Sequence, residues 1–412
     1  MAFQFPNGFL WGAGTSAHQI EGGNWNSDWW EFEHIHGAPI TEPSGDACDH
    51  YHRYAEDISL MEELGLNAFR FGIEWARIEP EEGEFSLAAL NHYQAVCETC
   101  RAHGIKPVIT FNHCSLPRWV AHQGGYVWEA FPDHFAKYCE RAASFLKAHL
   151  GYVVTLNEPE LTANLGMRYG NFPRLGMTNL DNYQAAEQCL KVLRKAHQYA
   201  RDAIKTAAPD ARVGLSLAFQ EWGGFEGSEE ELQRHPLVNG WEGKFYEATR
   251  GDDFVGIQTY TRLYLPPESG DKTQGEGSVK TYQGLEGYFS YPEGTRRTPL
   301  GYEYRPQAVG ATIRRTYNLT KIPILVTENG VASDDDGERV EYITGALNSI
   351  QSCMEEGLPV KGYLHWSLLD NFEWNQGYKM KFGLVAVDRQ TFARTVKPSA
   401  RFLGAIARKN AI

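Results

Sequence analysis

The chain has 412 residues, 42% of them hydrophobic, and a formal net charge of −13. That much apolar material can fill one large core or two to three smaller domains. So acidic a surface repels phosphate backbones and argues against nucleic acid as a partner, and no run of about 18 apolar residues offers a membrane span.

Short apolar runs alternate with helix-period stretches along the whole chain. Phe9–Ala13 is the first predicted strand; Tyr54, Ile58, Met61 and Leu64 then recur at helical spacing up to a stop at Gly65. Ala68–Ile73 is the second strand, followed by a helix through Leu87, Leu90, Tyr93 and Cys97. Lys106–Phe111 is the third, with a helix through Phe135, Tyr138, Ala142 and Leu146. Tyr152–Leu156 is the fourth, with a helix from Leu190 to Ile204. Arg212–Leu217 and Phe254–Thr259 are the fifth and sixth, and the helix between them is the least clear. Residues 266–300, rich in Gly, Pro, Ser and Tyr, read as one long surface loop. Val309, Ile313 and Tyr317 carry a helix into the seventh strand, Ile322–Thr327. A helix through Val340, Ile343, Leu347 and Ile350 breaks at Gly357 before the eighth strand, Val360–Trp366, and a last helix holds Phe402, Leu403 and Ile406.

Eight near-continuously apolar strands separated by helices predict the α/β class and a single (β/α)8 TIM barrel over residues 1–412. The competing architecture is an open doubly wound sheet, disfavoured because no Gly-rich phosphate turn follows the first strand. Seven cysteines cannot all pair, and the opening Met1–Pro6 has neither a basic nor an apolar leader segment, so a reducing cytoplasm with free thiols is expected. Cys97 and Cys100 resemble half of a zinc or redox motif, but they fall inside a helical pattern and are read as core.

Two stretches share one grammar. Val153–Leu156 runs into Asn157-Glu158-Pro159, and Ile324–Thr327 runs into Glu328-Asn329-Gly330. A carboxylate at the mouth of a buried strand is costly. Two at matching positions suggest a pair aimed at one substrate, as glycosidic cleavage requires. Barrel active sites lie at the C-terminal strand ends. Those ends offer Gln19 and Glu21, Arg70, Asn112 and His113, Asn157 and Glu158, Tyr260, Glu328, and finally Trp366, Asp370, Asn371, Glu373 and Trp374. Hydrogen-bonding groups and a stacking ring on one rim suit a neutral polyol, and 11 Trp point the same way. A metal hydrolase would show clustered His and Asp at strand ends, where His113 stands alone, so no metal and no cofactor are expected.

These segments resemble glycoside hydrolase family 1, the β-glucosidase group. Phe9–Gly22 is similar to its N-terminal signature, Thr155–Pro159 to its acid/base segment, Val326–Gly330 to its nucleophile segment and Trp366–Trp374 to its sugar-binding loop. The resemblance implies a retaining mechanism, with Glu328 as nucleophile and Glu158 as acid/base about 5–5.5 Å apart. It also implies that Arg70 and Tyr260 hydrogen-bond Glu328 and that Asn157 binds the sugar 2-hydroxyl. Gln19, His113, Glu373 and Trp374 would read the ring hydroxyls, over a floor made by Trp366. The sequence departs from the family where Cys114 and Ser115 replace an aromatic and an Asp, where Gln258 and Thr259 replace Asn-Tyr, and where Glu74 replaces a small Ser. Small-molecule β-glycosides or oligosaccharides are the expected partners, β-glucosides first. The alternatives are a transglycosylating enzyme and a preference leaning to β-galactosides or β-fucosides. A more remote one is a 6-phospho-β-glycosidase, whose phosphate the charge of Glu373 would repel.

Overall fold

The computed structural model describes residues 3–177, 179–265 and 291–412. Eight strands form the barrel: β1 (Leu10–Gly14), β2 (Ala68–Gly72), β3 (Lys106–Asn112), β4 (Tyr152–Asn157), β5 (Arg212–Ala218), β6 (Phe254–Gln258), β7 (Ile324–Asn329) and β8 (Val360–Trp366). Neighbours in sequence are neighbours in space, every pair is parallel, and β8 closes on β1 with Leu10 opposite Gly362 and Gly14 opposite Trp366. Closure excludes the open doubly wound sheet. Each predicted strand overlaps its counterpart. The seventh starts two residues later than expected because Pro323, which lacks an N–H for the ladder, precedes it.

Alternation along the strands builds two apolar layers. Leu10, Ala68, Val108, Val154, Phe254, Leu325 and Leu364 fill the barrel interior. Val153, Leu156, Ile324 and Val326 belong to the larger cluster shared with the helices outside. The long helices fall where the apolar period put them: His50–Leu64, Leu87–Ala102, Phe131–Leu146, Asn182–Ala207, Ala308–Thr320, Asp336–Glu355 and Pro398–Lys409. Gly65 ends the first of these at φ +83°, a conformation a Cβ would strain. Asp181 and Gln184 start the longest with a reciprocal capping box. The unclear connection from β5 to β6 holds a short strand, Glu221–Gly223, a short helix, Glu229–Arg234, and a second helical run made of Pro236–Val238, a π-helical turn Asn239–Gly243 and Lys244–Ala248. Pro236 starts the second run, and the wider π-helical turn within it departs from the 3.6-residue period that the sequence pattern relies on. Cys97 and Cys100 are buried in their helix, as read. Of the expected surface loop, residues 266–290 lie outside the described residues; Tyr302 and Leu300 follow them on the barrel rim. Among the described residues no helix is long and apolar enough to cross a membrane.

Candidate active site

Strict alternation would send Asn157 and Glu328 toward the helices. A bulge in each strand prevents this. On β4, three residues from Val154 to Asn157 span two on β5, Gly214 to Ser216. On β7, Val326 pairs with Ile257 but Glu328 pairs with Gln258, so Thr327 is the extra residue. An inserted residue re-aims every side chain after it. The shared grammar of the two segments therefore reflects a shared irregularity at the same end of the barrel. Glu158, just beyond, sits at φ +46° and ψ +52°. That region is disfavoured for a non-glycine residue and more so before a proline. Cys114 and Trp374 also have positive φ, at +62° and +49°. All three side chains line one cavity of about 850 Å³, a volume that includes the open solvent at its mouth.

Glu328 is held from three sides. The Arg70 guanidinium donates to its Oε1, Gln258 Nε2 donates to the same oxygen at 2.7 Å, and the Tyr260 hydroxyl donates to Oε2 at 2.5 Å. Arg70 also donates to Asn157 Oδ1, which takes a second bond from Gln258 at 2.7 Å. Asn157 Nδ2 lies 3.0 Å from His113 Nε2. The His113 ring is kept neutral, first by burial and then by Arg70. Glu158, by contrast, receives no side-chain hydrogen bond from any described residue. Its carboxyl is pushed well above the usual range by burial, then by the charges of Glu328 and Glu160. Burial raises Glu328 too, but Arg70 and the Tyr260 hydroxyl oppose it. The two acids thus share a cavity and differ in environment, so one is disposed to hold a proton and the other a charge.

A second wall comes from the end of β8 and the segment that follows it. Trp366 and Trp374 both flank His113, with ring centroids 5.7 and 6.3 Å away. Glu373 is pushed up to about 8 by burial and then by Glu328, against hydrogen bonds from Trp366 and Gln19. Gln19 lies behind it, with Nε2 donating to Phe372 O at 2.8 Å and to Glu373 Oε2 at 3.4 Å. Of the predicted residues, Glu158, Glu328, His113, Tyr260, Trp366, Glu373 and Trp374 face the cavity, whereas Gln19, Arg70 and Asn157 buttress those that do.

Other strand-end residues serve elsewhere. Glu21 pairs with Arg77 at 2.8 Å, Asp370 with Lys397 at 2.8 Å, and Asn112 clamps its own turn through Ser115 O at 2.7 Å. Two departures compensate each other, because Ser115 Oγ donates to Glu74 Oε2 at 2.8 Å. In the sequence Gln258 stands out only as a departure from the family pattern. Its place as the last residue of β6 could have marked it as a site residue. Gln220 and Tyr302 reach the cavity from loops and Trp241 from a π-helical turn, and none carries a comparable sequence signal. No group of three or more His, Cys, Asp or Glu among the described residues could hold a metal ion.

The sequence profile described as glycosyl hydrolase family 1 matches residues 1–250 and 230–412. The chain is 30% identical to β-glucosidase A of Thermotoga maritima, over 99% of each chain, and 30% identical to a β-glucosidase of Agrobacterium sp., over 99% of this chain and 96% of that one. Among solved structures it resembles the β-glycosidase BGL167, with a TM-score of 0.87 and 43% identity over 99% of this chain and 98% of that chain. It also resembles the Thermotoga maritima β-glucosidase in complex with cyclophellitol, with a TM-score of 0.86 and 27% identity over 99% of each chain.

Proposed function

The chain belongs to glycosyl hydrolase family 1 and is a β-glucosidase; from that premise we propose that it works by double displacement, with Glu328 as nucleophile and Glu158 as acid/base. The observation that carries this division of labour is the asymmetry of the pair: three donors converge on Glu328 and, among the described residues, none on Glu158. Donors that favour the ionised form supply a nucleophile, and a buried acid beside a like charge keeps the proton needed by a leaving group.

In the first step an oxygen of Glu328 bonds the anomeric carbon while the glycosidic C–O bond breaks. The proton of Glu158 passes to the departing oxygen. Forming the ester removes the charge on Glu328, and with it one cause of the raised proton affinity of Glu158. Glu158 is then ionised and takes a proton from the water that attacks the ester, releasing sugar and restoring both acids. Trp366 provides the apolar floor under the ring, and His113, Glu373 and Trp374 read its hydroxyls, with Gln19 holding Glu373 from behind. Asn157, with its oxygen committed to Arg70 and Gln258, addresses the 2-hydroxyl through its nitrogen. The substrate is a terminal, non-reducing β-D-glucosyl unit on a small glycoside or oligosaccharide, and the whole chain serves as one catalytic domain. A cytoplasmic location is supported by seven buried free thiols.

The test is a panel of nitrophenyl glycosides with the wild type and Glu158→Ala. Glucosides should be preferred, and the variant should regain turnover with azide and yield the β-glycosyl azide. An α-azide, or wild-type rates in the variant on poor leaving groups, would overturn these roles.

A further inference from the structure

Behind Glu158 stands a second acid that this reaction does not use. Glu160 is two residues further along the same turn and has no exposed surface. Its Oε1 accepts the backbone N–H of Ala218 at the end of β5, and Ala218 itself lines the cavity. Its Oε2 is buried without a hydrogen-bond partner among the described residues. A buried carboxyl with one oxygen unsatisfied is destabilising in either protonation state, so its presence there calls for a use.

The charged groups acting with Glu160 are Glu158 from its own turn and Glu242 from the π-helical segment Asn239–Gly243, the latter bound to Arg315 at 2.8 Å. We propose that Glu160 is a positioning residue for the proton of Glu158: as an anion two residues away, it opposes departure of that proton and extends the working range of the acid to higher pH. Burial pushes Glu160 up to about 8, Glu242 adds to burial, and its own backbone N–H and that of Ala218 oppose. Its charge therefore develops in the alkaline range, where loss of the Glu158 proton would end catalysis. The other groups acting on Glu158 are Glu328 and Glu373, which add to the effect, and Arg70, which opposes it. Cys114, Tyr260 and Tyr302 feel the charge of Glu158, are each pushed up by burial, and stay neutral throughout. The inference rests on the reading of Glu158 as acid/base.

Glu160→Gln preserves the shape and the contact to Ala218 while removing the charge. Its plateau kcat/KM on a nitrophenyl glucoside should stay within about threefold of wild type. The alkaline limb of the pH profile should move to lower pH by about half to one unit, and Glu160→Asp should hold that limb near its wild-type position. Glu160→Met, an apolar chain of similar length, should give the same displacement and serves if the amide variant does not fold. A limb that stays in place in the neutral variants, or a uniform loss of rate without displacement, would overturn the proposal. Glu158→Gln measured alongside separates the two readings. If it keeps the wild-type alkaline limb, the acid/base assignment itself fails; if it loses activity while the Glu160 variants show no displacement, only the role of Glu160 fails.

Discussion

Tyr260→Phe isolates one of the three donors on Glu328. The hydroxyl donates to Oε2 at 2.5 Å, whereas the ring packs edge-on against Phe382 at 5.9 Å and needs no hydroxyl to do so. A hydrogen bond to an ionised group contributes about 1.5–3 kcal/mol, and one pKa unit corresponds to about 1.36 kcal/mol. Losing the bond should therefore raise the proton affinity of Glu328 by about one to two units, the lower figure being expected because Arg70 and Gln258 remain. Burial already pushes this acid up and the hydroxyl opposes that, so the shift adds to burial. The acid limb of kcat/KM should move to higher pH by that amount, with the melting temperature nearly unchanged. Steady-state hydrolysis of a nitrophenyl glucoside across pH reads it directly. An acid limb that does not move, with rate lost equally at every pH, would refute the argument that Tyr260 favours the charged nucleophile.

Arg70→Met removes one partner of a buried ion pair, a change that costs about 3–5 kcal/mol. The melting midpoint should fall, and kcat/KM on the same substrate should drop by about two to three powers of ten. Gln258→Leu takes a donor from both Glu328 and Asn157 but also removes a buried Oε1 that has no partner among the described residues. Activity should fall by about tenfold or more while thermal stability changes little, a split read by kinetics beside calorimetry. Asp57 is buried, yet Arg394 and His50 hold its proton affinity below the usual carboxylate range. Its stabilising effect is present above the unfolded value of about 3.9 and is lost as pH falls through the lowered folded value. Asp57→Asn should therefore lower the melting midpoint at neutral pH, and the difference from wild type should shrink on acidification below about pH 4.

The strands were legible because parallel barrel strands are buried on both faces, leaving apolar runs such as Val153–Leu156 and Ile324–Thr327 bounded by Pro or Gly. The acids at their ends were legible because polar groups rarely end such runs without use. The bulges that turn Asn157 and Glu328 inward were not, because a register shift depends on the neighbouring strand. Nor was the bond from Ser115 to Glu74, whose partners lie 41 residues apart and look in sequence like two unrelated departures. Gln258 shows a different limit. Against the family pattern it stands only as a replacement for Asn, whereas its longer side chain spans Asn157 and Glu328 together. Trp241 comes from a π-helical turn and Tyr302 from a loop, and neither follows a period that relates a residue to the barrel mouth.

Covalent trapping tests the assignment at the centre of this account. A 2-deoxy-2-fluoro-β-glucoside with a good leaving group slows the second step more than the first, so the sugar ester accumulates on the nucleophile. After tryptic digestion one fluoroglucosyl unit should be found on the peptide spanning residues 322–339, fragmenting to Glu328. A label on another carboxylate, or inactivation without any covalent adduct, would contradict it.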